Sequence, residues 1–183
     1  MITWGLLGGS FDPPHMGHLL LGAWALGTGT VDRLLLVPCH VHALDKTAAA
    51  SFADRLALAQ ALAEDLDPAR CEVSDVEASL GAPSRTLRTL QALSADHPGD
   101  SWRLVIGQDI LAEADRWYRW SDVIALAPTL VAGRGGAPGP AQELTLPEVS
   151  STEVRRRLAA GEDATALVPA AVRAEIAARA LYR

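Results

Sequence analysis

The sequence predicts an α/β fold: a doubly wound, mostly parallel sheet with helices on both faces, in one domain over residues 1–183. Two observations predict it. Short continuous apolar runs, Thr3-Trp4-Gly5-Leu6-Leu7, Asp32-Arg33-Leu34-Leu35-Leu36-Val37 and Trp102-Arg103-Leu104-Val105-Ile106, read as parallel strands buried on both faces. Between them lie longer segments whose apolar residues recur at helical spacing, and such alternation is the pattern of a parallel sheet wrapped by helices.

Taken in order, residues 19–26 continue the first strand's turn as an apolar helix. Pro38 ends the second strand, and the polar loop over residues 39–51 holds His40, His42 and Lys46. Phe52, Leu56, Ala59, Ala63 and Leu66 line one helical face, with Asp67-Pro68 closing the helix. Residues 71–77 alternate like a strand. Ser84 is placed to N-cap a helix carrying Leu87, Leu90 and Leu93, which His97-Pro98-Gly99 stops. A helical stretch bearing Trp117, Tyr118 and Trp120 follows the third apolar run, then a short strand around Leu130-Val131. Residues 132–141, rich in Gly and Pro, read as a mobile loop, and Leu144-Thr145-Leu146 as a last short strand. Ser150-Ser151-Thr152 caps a helix starting near Glu153, and Val168-Pro169 opens another with Val172 and Ile176 on one face.

A chain of 183 residues, 49% hydrophobic, buries a sizeable core. Its net charge of -6 speaks against a broad nucleic-acid-binding surface. Two cysteines, Cys39 and Cys71, without CxxC spacing fit a reducing compartment. No basic and apolar leader precedes the first strand, and no apolar run reaches the roughly 18 residues of a membrane span. The expectation is a cytoplasmic protein with neither membrane nor nucleic-acid partner.

The richest stretch is Gly8-Gly9-Ser10-Phe11-Asp12-Pro13-Pro14-His15-Met16-Gly17-His18, a strand-to-helix turn. Gly8 and Gly9 permit positive φ and close backbone approach. Pro13 and Pro14 stiffen the helix entry. His15 and His18, three apart, share one face at a helix N-terminus, where N–H groups and the macrodipole favour an anion. In a parallel sheet ligands bind beyond the carboxyl ends of the strands. The loops over residues 8–18, 38–46, 107–109 and 150–155 all fall there.

Residues 8–18 resemble the signature of the HxGH nucleotidyltransferase superfamily, with His15 to His18 as its His-x-Gly-His core. Ser150-Ser151-Thr152-Glu153-Val154-Arg155 is similar to the superfamily's second phosphate-binding motif. Within it, Ile106-Gly107-Gln108-Asp109, the aromatics at 117–120 and the stretch from Leu167-Val168-Pro169 to Leu181-Tyr182 resemble the bacterial nicotinate-nucleotide adenylyltransferases. The resemblance implies a Rossmann-like fold and transfer of AMP from ATP to nicotinate mononucleotide, with release of pyrophosphate, in NAD biosynthesis. The acceptor's own phosphate is then the nucleophile, so the protein supplies positioning and charge stabilisation. Catalytic roles are implied for His15, His18 and Arg155. ATP contacts are implied for Gly8, Gly9, Ser10, Phe11, Gly17, His18, Ser151, Thr152 and Arg155. Acceptor contacts are implied for Asp12, His40, Lys46, Arg85, Thr86, Gly107, Asp109, Trp117, Tyr118 and Arg134. Mg²⁺ would enter with ATP, held mainly by substrate oxygens and water. ATP and a pyridine mononucleotide are the expected partners, and a homo-oligomer is left open.

The departures from the family pattern cluster where an acceptor would be recognised. Arg85 stands in place of an aromatic residue in Ser84-Arg85-Thr86, and residues 39–46 are rewritten. Arg134-Gly135-Gly136 replaces the more usual Arg-Pro-Gly. By residue type, Arg85 is the candidate partner for an acceptor carboxylate. Other readings are a zinc site drawing on His15, His18, His40 and His42, and simple helix capping by Asp12 or by Ser151-Thr152-Glu153. Alternative functions are phosphopantetheine or nicotinamide-mononucleotide adenylyltransferase, a cytidylyltransferase, and a nucleotide-binding protein without transferase activity.

Overall fold

The computed structural model describes residues 1–41, 47–134 and 142–183. Six strands form one sheet: β1 (Thr3–Gly9), β2 (Arg33–Pro38), β3 (Cys71–Val73), β4 (Ser101–Gly107), β5 (Thr129–Arg134) and β6 (Gln142–Leu146). Their order is β3-β2-β1-β4-β5-β6, and every neighbouring pair is parallel. The helices are α1 (Met16–Gly27), α2 (Phe52–Leu66), α3 (Thr86–Asp96), α4 (Gln108–Leu111), α5 (Trp120–Leu126), α6 (Ser151–Ala159) and α7 (Ala170–Ala178).

The apolar runs are explained by two cores, one on each face of the sheet. Successive strand residues point to opposite faces, so an apolar run serves both. Leu7, Leu34, Leu36 and Val105 join α1, α2, α6 and α7 on one face. Trp4, Leu6, Leu35, Val37, Trp102, Leu104 and Ile106 meet α3 and α5 on the other. Leu34 is central to the first core. A Cβ placed on Gly22 of α1 would lie 3.0 Å from one of its methyl groups, and one on Gly5 of β1 would lie 3.1 Å from the other. Gly22 thus lets α1 settle directly on the sheet.

Several expected elements differ from those observed. β3 is only three residues long; the chain then turns through a 3₁₀ turn at Val76–Ala78 that carries Glu77 into the interior. Ser84 does not cap α3. It exchanges bonds with the loop after β2, its hydroxyl accepting from the Val41 N–H at 3.2 Å and its own N–H donating to the Val41 carbonyl at 2.9 Å. The N-cap of α3 is Arg85. Trp117 and Tyr118 are not helical; they lie between a 3₁₀ turn (Ala114–Arg116) and α5, where Arg119 takes φ 53 to restart the helix. Of the stretch read as a mobile loop, residues 132–134 complete β5, and 135–141 lie outside the described residues. Among the described residues no helix is long and apolar enough to cross a membrane.

Leu34→Ala would empty space between Gly5, Gly22 and the β2 backbone. Cavity formation of this kind costs about 2–5 kcal/mol, which for a chain of this size lowers Tm by roughly 10 °C. Thermal unfolding followed by circular dichroism should show that drop with a native spectrum retained at 20 °C. A shift below about 2 °C would remove Leu34 from the centre of the core.

Candidate active site

Chain order reverses between β1 and β4. From β1 the chain winds outward through β2 and β3, then returns to β4 on the other side. Helices flanking such a reversal diverge and leave a crevice at the carboxyl ends of the two strands. β1 ends there in Gly9 and leads through residues 10–15 into α1, while β4 ends in Gly107 and leads into α4.

The turn after β1 is shaped by contacts other than those its glycines suggest. Gly8 and Gly9 lie within β1, and the positive φ falls on fully buried Phe11, at 48°. His15, not Asp12, is the N-cap of α1. The His15 backbone N–H donates to His18 Nδ1 at 3.1 Å. That bond assigns the ring proton of neutral His18 to Nε2. Nε2 sits over the β1 end, 3.6 Å from where a Cβ on Gly9 would stand, and the imidazole leans on Phe11 with centroids 5.0 Å apart. The two imidazoles are 3.9 Å apart, and a Cβ on Gly17 would come within 3.0 Å of the His15 ring. Gly17 is therefore a steric requirement of the histidine pair. The Met16 N–H is committed to the Leu167 carbonyl at 2.8 Å, so the helix start offers fewer backbone donors than its sequence suggests.

α6, on the same face of the sheet as α1, closes directly on this turn. The Ser150 hydroxyl caps the helix, accepting from the Glu153 N–H. The Ser151 hydroxyl donates to the Pro13 carbonyl at 2.9 Å, so it joins the two halves; what it can offer an anion is its N–H in the first turn of α6. Arg155 Nη1 donates to the Asp12 carbonyl at 2.6 Å and stands 3.7 Å from the Asp12 carboxylate, while Nη2 reaches Thr152 Oγ1 at 3.4 Å. The Arg155 side chain remains 28% exposed. The sequence-predicted pairing of residues 8–18 with the second motif is thus a direct contact through Ser151 and Arg155, with Thr152 bonded to Arg155.

Asp12 is the junction of these parts. It is 3% exposed, accepts from the N–H groups of Ala49 and Ala50 at 2.7 and 3.1 Å, and accepts from the Tyr182 hydroxyl at 2.8 Å. Both carboxylate oxygens are engaged within the protein, so it holds the turn rather than reaching an acceptor. Burial and the neighbouring carboxylate push the Tyr182 hydroxyl well above its usual range, which keeps it a donor.

Arg55 and Glu77 shape the site without having been singled out from sequence, and so does Tyr182, which the sequence offered only as the end of a family-like stretch. Arg55 is 3% exposed, and its guanidinium donates to the carbonyls of Ser10 (2.9 Å), Cys39 (2.6 Å) and His40 (3.3 Å). It ties the loop after β1 to the loop after β2. Its place on the apolar face of α2, between Phe52 and Leu58-Ala59, is the signal that could have exposed it. Glu77 accepts from the His40 N–H at 3.0 Å and from the Thr89 hydroxyl at 2.9 Å.

The predicted acceptor residues form a second group along the same edge. The Arg85 guanidinium stacks over the Tyr118 ring, 5.2 Å from its centroid, and Tyr118 is 47% exposed. Trp117 packs edge-on to Trp120 at 5.4 Å and, partly buried, against the second core. A Cβ on Gly107 would fall 2.5 Å from Asp109 Oδ1, so a larger residue there would force the Asp109 carboxylate to move. Thr86 is the first residue of α3, and the His40 ring stands edge-on to Phe52 at 4.8 Å. Arg134 ends β5. His42 and Lys46 lie outside the described residues. No group of three or more His, Cys, Asp or Glu is gathered for a metal among the described residues.

Residues 6–157 match the cytidylyltransferase-like family model. A probable nicotinate-nucleotide adenylyltransferase of Anaeromyxobacter sp. (strain K) is 44% identical over 181 residues, covering 97% of this chain and 95% of that protein. One of Myxococcus xanthus is 37% identical over 178 residues, covering 97% and 93%. In fold, the chain superposes on Plasmodium falciparum nicotinic acid mononucleotide adenylyltransferase complexed with NaAD with a TM-score of 0.82, at 18% identity, covering 100% of this chain and 98% of that one. Carrying both phosphate motifs on a sheet of this order, and relatives of this closeness over nearly its whole length, the chain belongs to the nicotinate-nucleotide adenylyltransferases of the cytidylyltransferase-like family.

Proposed function

We propose that the protein transfers AMP from ATP to nicotinate mononucleotide, giving the deamido dinucleotide and pyrophosphate. One observation carries the reading at the level of chemistry: α1 and α6 meet at the carboxyl end of β1, clasped by Ser151 on Pro13 and Arg155 on Asp12. Two helix starts, a histidine with its proton on Nε2 and a partly exposed guanidinium thus converge on one crevice. This is the donor set a triphosphate needs.

In the reaction, a phosphate oxygen of the mononucleotide attacks the α-phosphorus of ATP. The new P–O bond forms as the bond to the β-phosphate breaks, and pyrophosphate leaves with its electron pair. Charge accumulates on the non-bridging and leaving oxygens. His18 donates from Nε2 to the α-phosphate, with His15 packed against it to hold the ring. Arg155 and the first-turn N–H groups of α6 take the β- and γ-phosphates, where the departing charge collects. Mg²⁺ would enter with ATP, held mainly by substrate oxygens and water, and would supply further neutralisation of phosphate charge. On the acceptor side, Arg85 over Tyr118 sets a cation beside an aromatic face, suited to a planar ring bearing a carboxylate.

Three expected outcomes follow from these roles. With ATP and Mg²⁺, pyrophosphate release should be fast with nicotinate mononucleotide, slower with nicotinamide mononucleotide and absent with phosphopantetheine or with ATP alone. Turnover with neither pyridine mononucleotide would overturn the assignment. His18→Ala should lower kcat by about 10²–10³, as loss of one donor to transition-state charge does, with Tm changed by no more than about 2 °C. A kcat within threefold of the parent would remove His18 from the chemistry. Arg85→Tyr should lower the acid-to-amide ratio of kcat/KM by roughly tenfold, the scale of one hydrogen bond to a charged group; an unchanged ratio would take Arg85 out of acceptor selection.

A further inference from the structure

We infer that Tyr182 is a positioning residue for the triphosphate, acting through Asp12 on Arg155. The inference rests on the reading of the α6 start as a phosphate site. Tyr182 lies beyond α7, 170 residues from Asp12 in sequence, yet its hydroxyl donates to Asp12 Oδ1 at 2.8 Å. The backbone delivering it is shaped for that contact. Ala180 and Tyr182 both take positive φ, 54° and 61°, which non-glycine residues adopt only where surrounding structure holds them. The Leu181 N–H returns to the Ile176 carbonyl at 3.1 Å, and Leu181 and Tyr182 pack on the core shared by α1, α2 and α7.

The contact matters because of what Asp12 faces. Oδ1 accepts from Ala50 and Tyr182, while Oδ2 accepts from Ala49 and stands 3.7 Å from Arg155 Nη1, a loose ion pair. Arg155 Nη1 is meanwhile held by the Asp12 carbonyl at 2.6 Å. A buried carboxylate missing a donor turns toward the nearest cation. The Tyr182 hydroxyl, with the two amides, keeps the Asp12 carboxylate satisfied and off the guanidinium, so that Arg155 stays fixed yet available to an external anion. Without the hydroxyl, Asp12 would close on Arg155 and compete with phosphate.

The test is Tyr182→Phe, which keeps the ring and removes only the hydroxyl. KM for ATP, and the ATP dissociation constant by calorimetry without acceptor, should rise about tenfold, while KM for the mononucleotide stays within twofold. In the double variant with Asp12→Asn, ATP affinity should be no weaker than in Asp12→Asn alone, since coupled residues do not add. An unchanged ATP affinity, additive losses, or a lowered Tm and active fraction at unchanged KM would each overturn the inference. Because calorimetry needs no acceptor, failure here is distinguishable from failure of the transferase reading: a parent that binds ATP but turns over no pyridine mononucleotide sinks the latter alone.

Discussion

The site depends on a buried carboxylate that is fully spoken for. Asp12 receives two backbone N–H groups from residues 49 and 50, the Tyr182 hydroxyl, and the outlying charge of Arg155. A carboxylate 3% exposed is tolerated only when its oxygens are occupied. Once they are, it becomes a fixed point. The turn after β1, the start of α2, the helix α6 and the stretch beyond α7 are all referred to it. Phosphate chemistry without a protein nucleophile asks for this kind of rigidity, because positioning and preorganised charge make up most of the catalysis.

Arg55 does the complementary work beneath the crevice. Its guanidinium bridges the carbonyls of Ser10, Cys39 and His40, and so locks the ends of β1 and β2 into one floor. Glu77 holds the His40 N–H from the other side. The parallel sheet places these loops at one edge, and the reversal of winding between β1 and β4 opens the space between them. Fold and site are therefore linked by few contacts: backbone carbonyls of the strand-end loops, read by the buried Arg55 of α2 and the half-buried Arg155 of α6.

What the sequence discloses follows from the range of the interactions. β1, β2 and β4 are legible because both faces of the sheet are covered, which forces unbroken apolar runs. The histidine turn and the α6 cap are legible because their signals span eleven residues or fewer. β3 misleads because Glu72 and Ser74 alternate with Cys71 and Val73 as in a longer strand, whereas only residues 71–73 find a partner in β2. Trp117 and Tyr118 mislead because aromatic spacing says nothing of the helix restart at Arg119. Arg55 and Tyr182 act on residues 45 and 170 positions away, and no local pattern carries such a partnership.

The central claim is that one triphosphate is held between the α1 and α6 jaws. A crystal structure with a non-hydrolysable ATP analogue and Mg²⁺ tests it most directly. The account predicts the α-phosphate within hydrogen-bond distance of His18 Nε2 and the β- and γ-phosphates at the α6 start beside Arg155, with Tyr182 still on Asp12. Phosphates bound away from both jaws would contradict it.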